Sequence, residues 1–125
     1  MKSFLSFFLL IISLGSLAQE NKIKAYLDCR CDENYIKQET SFLEYVRDQD
    51  LADVEIFIRD ERNPTGSRSF EIKIDGNNEY GEISNTTEAV GYANDTSSSL
   101  REKLLNKLKL ALVPFLEKAN YNLTI

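Results

Sequence analysis

Histidine is missing from this chain altogether, and cysteine occurs only at positions 29 and 31. Without an imidazole the commonest general base and the commonest metal ligand are gone, so Ser-His-Asp, Cys-His and His-zinc chemistries are excluded. The sole methionine is Met1, which leaves no thioether for a soft-metal site once the N-terminus is processed. No Gly-x-Ser-x-Gly, no Walker-type loop and no Gly-x-Gly-x-x-Gly occurs, so nucleotide binding and common hydrolase chemistry have no support. Positive charge is scarce as well: 15 Lys plus Arg stand against 20 Asp plus Glu. That balance argues against nucleic acid and anionic lipid as partners.

Only one long apolar run is present, from Phe4 to Leu14, about 11 residues preceded by Lys2. It suits the h-region of a secretory signal and falls short of the roughly 20 residues of a membrane-spanning helix. Ser16-Leu17-Ala18 places small residues at positions −3 and −1 of a cleavage point, which predicts a signal peptide over residues 1–18 and a mature chain from Gln19. The expected location is therefore the periplasm or cell envelope, with no span in residues 19–125. No cysteine follows the cleavage point, so no lipid anchor is expected. Loss of Lys2 leaves 14 cations against 20 anions, a net charge of −6. The remaining residues 19–125 are enough for one domain that folds without disulfides or metals.

Along that domain the apolar periodicity alternates between two kinds of element. Ile23, Ala25 and Leu27 against Lys24 and Tyr26 predict a half-buried strand. Asp32 is placed to cap a helix with its stripe at Tyr35, Ile36, Phe42, Leu43 and Val46, Glu33 in its first turn and Arg47 in its last. Ala52 to Asp60 alternates again, as do Phe70, Ile72 and Ile74, and Asn63-Pro64-Thr65-Gly66 between them carries turn chemistry, so a hairpin is expected. Asp75-Gly76 begins another tight turn towards a weaker strand between Glu79 and Thr87, interrupted by Gly81. Asn85 to Ser99, rich in Asn, Thr and Ser, favours loop.

Ser97 or Ser98 then caps the longest helix, with Leu100, Leu104, Leu105, Leu108, Ala111, Leu112, Phe115 and Leu116 on its apolar face. Pro114 predicts a kink or break there. Tyr121 to Ile125 alternates like the opening of a last strand. The expected fold class is α+β, a two-layer α/β sandwich in the order β-α-β-β-(β)-α-(β), with two helices on one face of a mixed three- to four-stranded sheet.

Cys29-Arg30-Cys31, where the first strand should give way to the first helix, is the most distinctive candidate site. Four readings stay open: a structural disulfide or two partly buried thiols, a redox pair, a soft-metal site, and a thiol joined to another chain. A thiolate near Arg30 and a helix N-terminus is stabilised, whereas Asp28, Asp32 and Glu33 oppose it. Those acids with Glu39 could also be read as a cation cluster or acid/base pair, but they read more simply as a solvated rim and a helix cap, because the glycine-framed spacing of calcium loops is missing. Asp75-Gly76-Asn77-Asn78-Glu79 reads as a hairpin turn that needs no ion. Tyr26, Tyr35, Tyr45, Tyr80, Tyr92 and Tyr121 are spread in a way that packing explains. Asn85-Thr86-Thr87, Asn94-Asp95-Thr96 and Asn122-Leu123-Thr124 match the glycosylation acceptor pattern, which matters only in a host that glycosylates. No catalytic residue, cofactor-binding residue, metal ligand or cofactor is expected.

Tyr26-Leu27-Asp28-Cys29-Arg30-Cys31-Asp32, Tyr35-Ile36-Lys37-Gln38-Glu39 and Phe42-Leu43-Glu44-Tyr45-Val46-Arg47-Asp48 together resemble a bacterial envelope family. Ala52 to Ile58, Thr65-Gly66 and Leu108 to Leu116 extend the likeness over nearly all of the mature chain. Members of that family carry a signal peptide, an N-terminal α/β domain and commonly a C-terminal outer-membrane β-barrel. Their cysteine spacing is often wider than the Cys-x-Cys seen here. The resemblance implies a periplasmic module whose partner is an envelope protein such as an outer-membrane barrel. Tyr121 to Ile125 is itself too short for one barrel strand, which needs about 9–11 residues. The expectation is a non-enzymatic exported domain that binds through a sheet edge or the sheet face opposite the helices, with a thiol-redox or soft-metal protein using Cys29 and Cys31 as the alternative.

Overall fold

Alternation alone accounts for the first strand, β1 (Ile23–Cys29): Ile23, Ala25 and Leu27 are buried, while Lys24, Tyr26 and Asp28 lie towards solvent. A computed structural model of the chain describes residues 22–119. The expected signal peptide, residues 1–18, and the expected last strand at Tyr121 to Ile125 lie outside the described residues.

Asp32 caps the first helix as expected, its Oδ1 accepting the Tyr35 N–H at 3.3 Å, but α1 (Glu33–Glu39) is much shorter than the stripe implied. Buried Thr40 ends it. Its N–H and its hydroxyl both donate to the Ile36 carbonyl, at 3.0 and 2.6 Å, and a tight turn follows in which the Leu43 N–H donates to the Thr40 carbonyl. The expected continuation through Phe42, Leu43 and Val46 to Arg47 is therefore corrected: Leu43–Tyr45 is a short strand, β2, parallel to β1 with Ile23 opposite Leu43 and Ala25 opposite Tyr45. Leu43 and Tyr45, two residues apart, satisfy strand spacing, whereas Leu43 and Val46 satisfy helix spacing. The outer edge of β1, with backbone groups in need of partners, decides between them.

The expected hairpin joins β3 (Val54–Arg62) to β4 (Arg68–Gly76), paired along their whole length. In its turn the Gly66 N–H donates to the Asn63 carbonyl at 3.0 Å, with Pro64 at the second position and Gly66 at φ 86°, a conformation that favours glycine. Beyond β4 the expected tight turn at Asp75-Gly76 is corrected. Gly76 still belongs to the strand, and the connection is a longer one containing a 3₁₀ turn, Asn78–Tyr80, with Tyr80 buried.

The strand expected between Glu79 and Thr87 is shifted to β5 (Ser84–Val90), which claims residues 85–90 of the segment expected to be loop. Its sequence looks loop-like because it is an edge strand with only Ala89 fully buried. Asn85, opposite Ile74, faces the helices and donates to the Ala111 carbonyl at 3.1 Å. A polar residue on the inner face is tolerated because that one hydrogen bond satisfies it.

Thr96, rather than Ser97 or Ser98, caps α2 (Ser97–Lys118), its hydroxyl accepting the Ser99 N–H. The buried residues of α2 are the eight expected ones, from Leu100 to Leu116. Pro114 does not break this helix. It lies on the exposed side, as does Leu110, so the carbonyl that loses its donor can turn to water.

The sheet runs β2-β1-β3-β4-β5, mixed and five-stranded rather than three- to four-stranded, parallel across β2, β1 and β3 and antiparallel beyond. Ile36 from α1 and the apolar face of α2 share one core with Ile56, Ile58, Ile72 and Ile74. Both helices therefore cover one face, and the fold is the two-layer α+β sandwich. The observed order is β-α-β-β-β-β-α.

Candidate functional site

In a sheet of this kind ligands collect at the carboxyl ends of parallel strands, where loops and helix N-termini converge. β1 ends there at Cys29, and the loop after it carries Arg30 and Cys31 to the rim of a cleft of about 270 Å³. The start of β4 and the first turns of α2 supply the other walls.

Cys29 and Cys31 are joined by a disulfide across Arg30, with Cα atoms 5.2 Å apart, inside the roughly 4.4–6.8 Å span usual for such bonds. Both are half-buried against the margin of the core, and Cys31 lines the cleft. The Arg30 N–H donates to the Ile58 carbonyl at 3.2 Å, which ties the loop to β3.

Two further arginines reach the same cleft from distant parts of the chain. Arg68 shares parity with Phe70, Ile72 and Ile74 on β4 and so points to the helix side. Its guanidinium grips both carboxylate oxygens of Asp60, Nε donating at 3.3 Å, and lies 5.8 Å from the Phe70 ring centroid. The bond to Asp60 raises the Arg68 pKa further above its ordinary value. Arg101, in the second turn of α2, stacks on Tyr35 with its guanidinium carbon 4.1 Å from the ring centroid. Its Nη1 meets the capping carboxylate of Asp32 at 3.4 Å, while its Nε is buried without a hydrogen-bond partner. Three arginines thus line one cleft of an acidic protein, and the guanidiniums of Arg68 and Arg101 are each held in place by an aromatic ring and a carboxylate.

The entry to α2 is tied together by Asp95. Asp95 accepts the Tyr92 N–H at 2.7 Å, the Ser99 hydroxyl at 2.9 Å and the Lys103 ammonium at 2.7 Å. Lys103 foremost, and then the two other donors, hold its carboxyl down to about 2. Ser97 and Ser98, which line the cleft, occupy the first turn, where helix geometry leaves N–H groups without intrahelical acceptors.

The other candidate residues do not assemble into a site. Asp28 lies on the opposite sheet face, Asp32 serves α1 and Arg101, and Glu33 pairs with Lys37 at 4.0 Å. Among the described residues no group of three or more Cys, Asp and Glu is placed to hold a metal ion. The tyrosines scatter: Tyr26 on the open face, Tyr35 under Arg101, Tyr45 against Thr40, Tyr80 in the core and Tyr92 exposed beside Lys103, while Tyr121 lies outside the described residues. Burial pushes the Tyr45 phenol up from its ordinary pKa. Of the glycosylation patterns, Asn85 is engaged under α2, Asn94 is exposed, and Asn122 lies outside the described residues. Arg68 and Arg101 escaped the sequence reading because neither sits in a local motif. The one available signal was the placement of Arg68 in phase with a core-facing strand row.

The sheet face away from the helices is the second surface of note. Tyr26 and Phe57 meet edge-on there, ring centroids 6.5 Å apart, and Phe57, Arg59, Glu71 and Lys73 line a depression of about 310 Å³. Arg59 stands opposite Glu71, and Glu71 opposite Glu88. None of the described helices covers this face, and none is long and apolar enough to cross a membrane.

Fold and cleft together define a two-layer α+β domain with a disulfide-edged, arginine-lined cleft. No protein-family model matches the chain, and no curated protein does.

Proposed function

We propose that this chain is a non-enzymatic, exported cell-envelope domain that serves as a protein-interaction or accessory module of an outer-membrane system. The single observation that carries the interaction reading is the open sheet face, where the Tyr26–Phe57 pair sits inside a field of charges that includes Arg59, Glu71 and Lys73. An aromatic centre with a charged, wettable surround is the anatomy of protein contact surfaces. Export rests on residues 1–18, and the outer-membrane setting on the family resemblance of the cysteine segment and the long helix.

Photocrosslinking in intact cells from a reactive side chain placed at Phe57 tests the proposal. A discrete adduct with an envelope protein, lost when Tyr26 is replaced by Ser, is the expected result. No envelope partner from this face, with the purified domain inert in pull-downs, rejects it.

A second reading is a thiol-redox or soft-metal role through Cys29 and Cys31, favoured by the position of Cys31 on the arginine-lined cleft. A neighbouring guanidinium stabilises a thiolate. Replacing both cysteines by Ser removes this reading if metal content, thiol titration and phenotype are all unchanged.

A further inference from the structure

We infer that the cleft edged by Cys31 is a binding site for a small organic monocarboxylate with a short apolar chain. The case begins with charge. Arg30, Arg68 and Arg101 line the cleft, and the carboxylates that meet them are Asp32 and Asp60, so one positive charge is left over in a protein that is otherwise acidic. Arg30 supplies it. Among the described residues its side chain has no hydrogen bond or ion pair. A monoanion balances that surplus, and a planar carboxylate matches the fork of a guanidinium.

Polarity divides the cleft in a way that specifies the rest of the ligand. Its cationic side is formed by the arginines, and Ser97 and Ser98 add first-turn amides of a helix of 22 residues. Its floor is apolar, built of Ile36, Phe70, Leu100 and Leu104. A volume of about 270 Å³ sits just under the ~300 Å³ at which ordinary ligand clefts begin, which limits the apolar part to a short chain. The arginine heads are pre-positioned, Arg68 by Asp60 and Phe70 and Arg101 by Asp32 and Tyr35, so little ordering entropy opposes binding. This inference is independent of the sheet-face interaction and of any turnover of the disulfide.

Hexanoate is the probe, titrated into isotope-labelled protein at low salt and followed by amide chemical shifts. Saturable shifts at Arg30, Cys31, Ser97 and Ser98 are expected, with weaker binding at high salt because the contact is charged. Hexanol, lacking the charge, leaves these amides unmoved, and acetate, lacking the chain, binds more weakly. Arg30→Gln, which removes no hydrogen bond or ion pair among the described residues, weakens hexanoate about tenfold. Arg101→Gln weakens it as well, and retention of the parent spectrum elsewhere shows that its loss of the Tyr35 stack has not unfolded the domain. The inference is overturned if hexanoate gives no saturable shifts at these amides up to ~100 mM, well beyond millimolar affinity. It is equally overturned if hexanol or acetate matches hexanoate, or if folded Arg30→Gln binds as the parent does.

Discussion

Asp95, part-buried at the entry to α2, has a carboxyl strongly shifted by its neighbours. Three donors fix its carboxylate, with Lys103 the strongest, and its pKa falls from 3.8 to about 2. A carboxyl with a depressed folded-state pKa binds its proton more readily in the unfolded chain. Its contribution to stability is therefore full above ~4 and fades as pH falls through that value to about 2. The Asp95 carboxyl carbon shift should titrate with a midpoint near 2, and Lys103→Met should move that midpoint up towards 3.8. Gly91 presents a steric counterpart. A Cβ there would stand 2.3 Å from the Arg68 carbonyl oxygen and 2.6 Å from Leu100 Cδ1, and that carbonyl already accepts the Gly91 N–H. Gly91→Ala should cost about 1–3 kcal/mol, read as a lower denaturant midpoint with an unchanged slope. At this scale Cys29 and Cys31 were visible as a candidate pair from their spacing. Arg68 and Arg101 were not, because what makes them part of a cleft is proximity across the fold.

Among the elements, α2 was the most legible, since eight apolar positions at helical spacing leave one burial pattern available. β1, β3 and β4 were nearly as plain, because each buries one alternating row. β2 and β5 were not, and the reason is common to both. They are the two edges of the sheet, paired on one side only, so hydrogen bonding to β1 and β4 rather than their own periodicity defines them. Pro114 bears on the energetics of α2. The helix continues through it because packing of Ala111, Leu112, Phe115 and Leu116 outweighs one missing backbone bond. Pro114→Ala should restore that bond and stabilise the domain by about 1–3 kcal/mol in thermal or chemical denaturation, since position 114 is exposed and an alanine meets no obstacle.

For the molecule as a whole, the disulfide is a minor part of stability. It closes a ring of only three residues, so its loop-entropy contribution is about 1–2 kcal/mol. The core of Ile, Leu, Val and Phe residues includes neither cysteine among its buried members. Reduction, or the Cys29→Ser/Cys31→Ser pair, should lower unfolding free energy by no more than about 2 kcal/mol and leave far-ultraviolet dichroism unchanged. Collapse of the domain on reduction would contradict this account.

The arginine-lined cleft and the open sheet face exist only at this scale, each composed from several strands or helices. Absent histidine, two neighbouring cysteines, an acidic balance and the α+β class follow from residue types and periodicity, because local chemistry and burial preference are written into each stretch of chain. Which strands form the edges, where α1 stops, and which three arginines share a cleft were decided by tertiary structure. Edge pairing and charge convergence arise between segments far apart in sequence, and no local pattern encodes a contact whose two halves are distant.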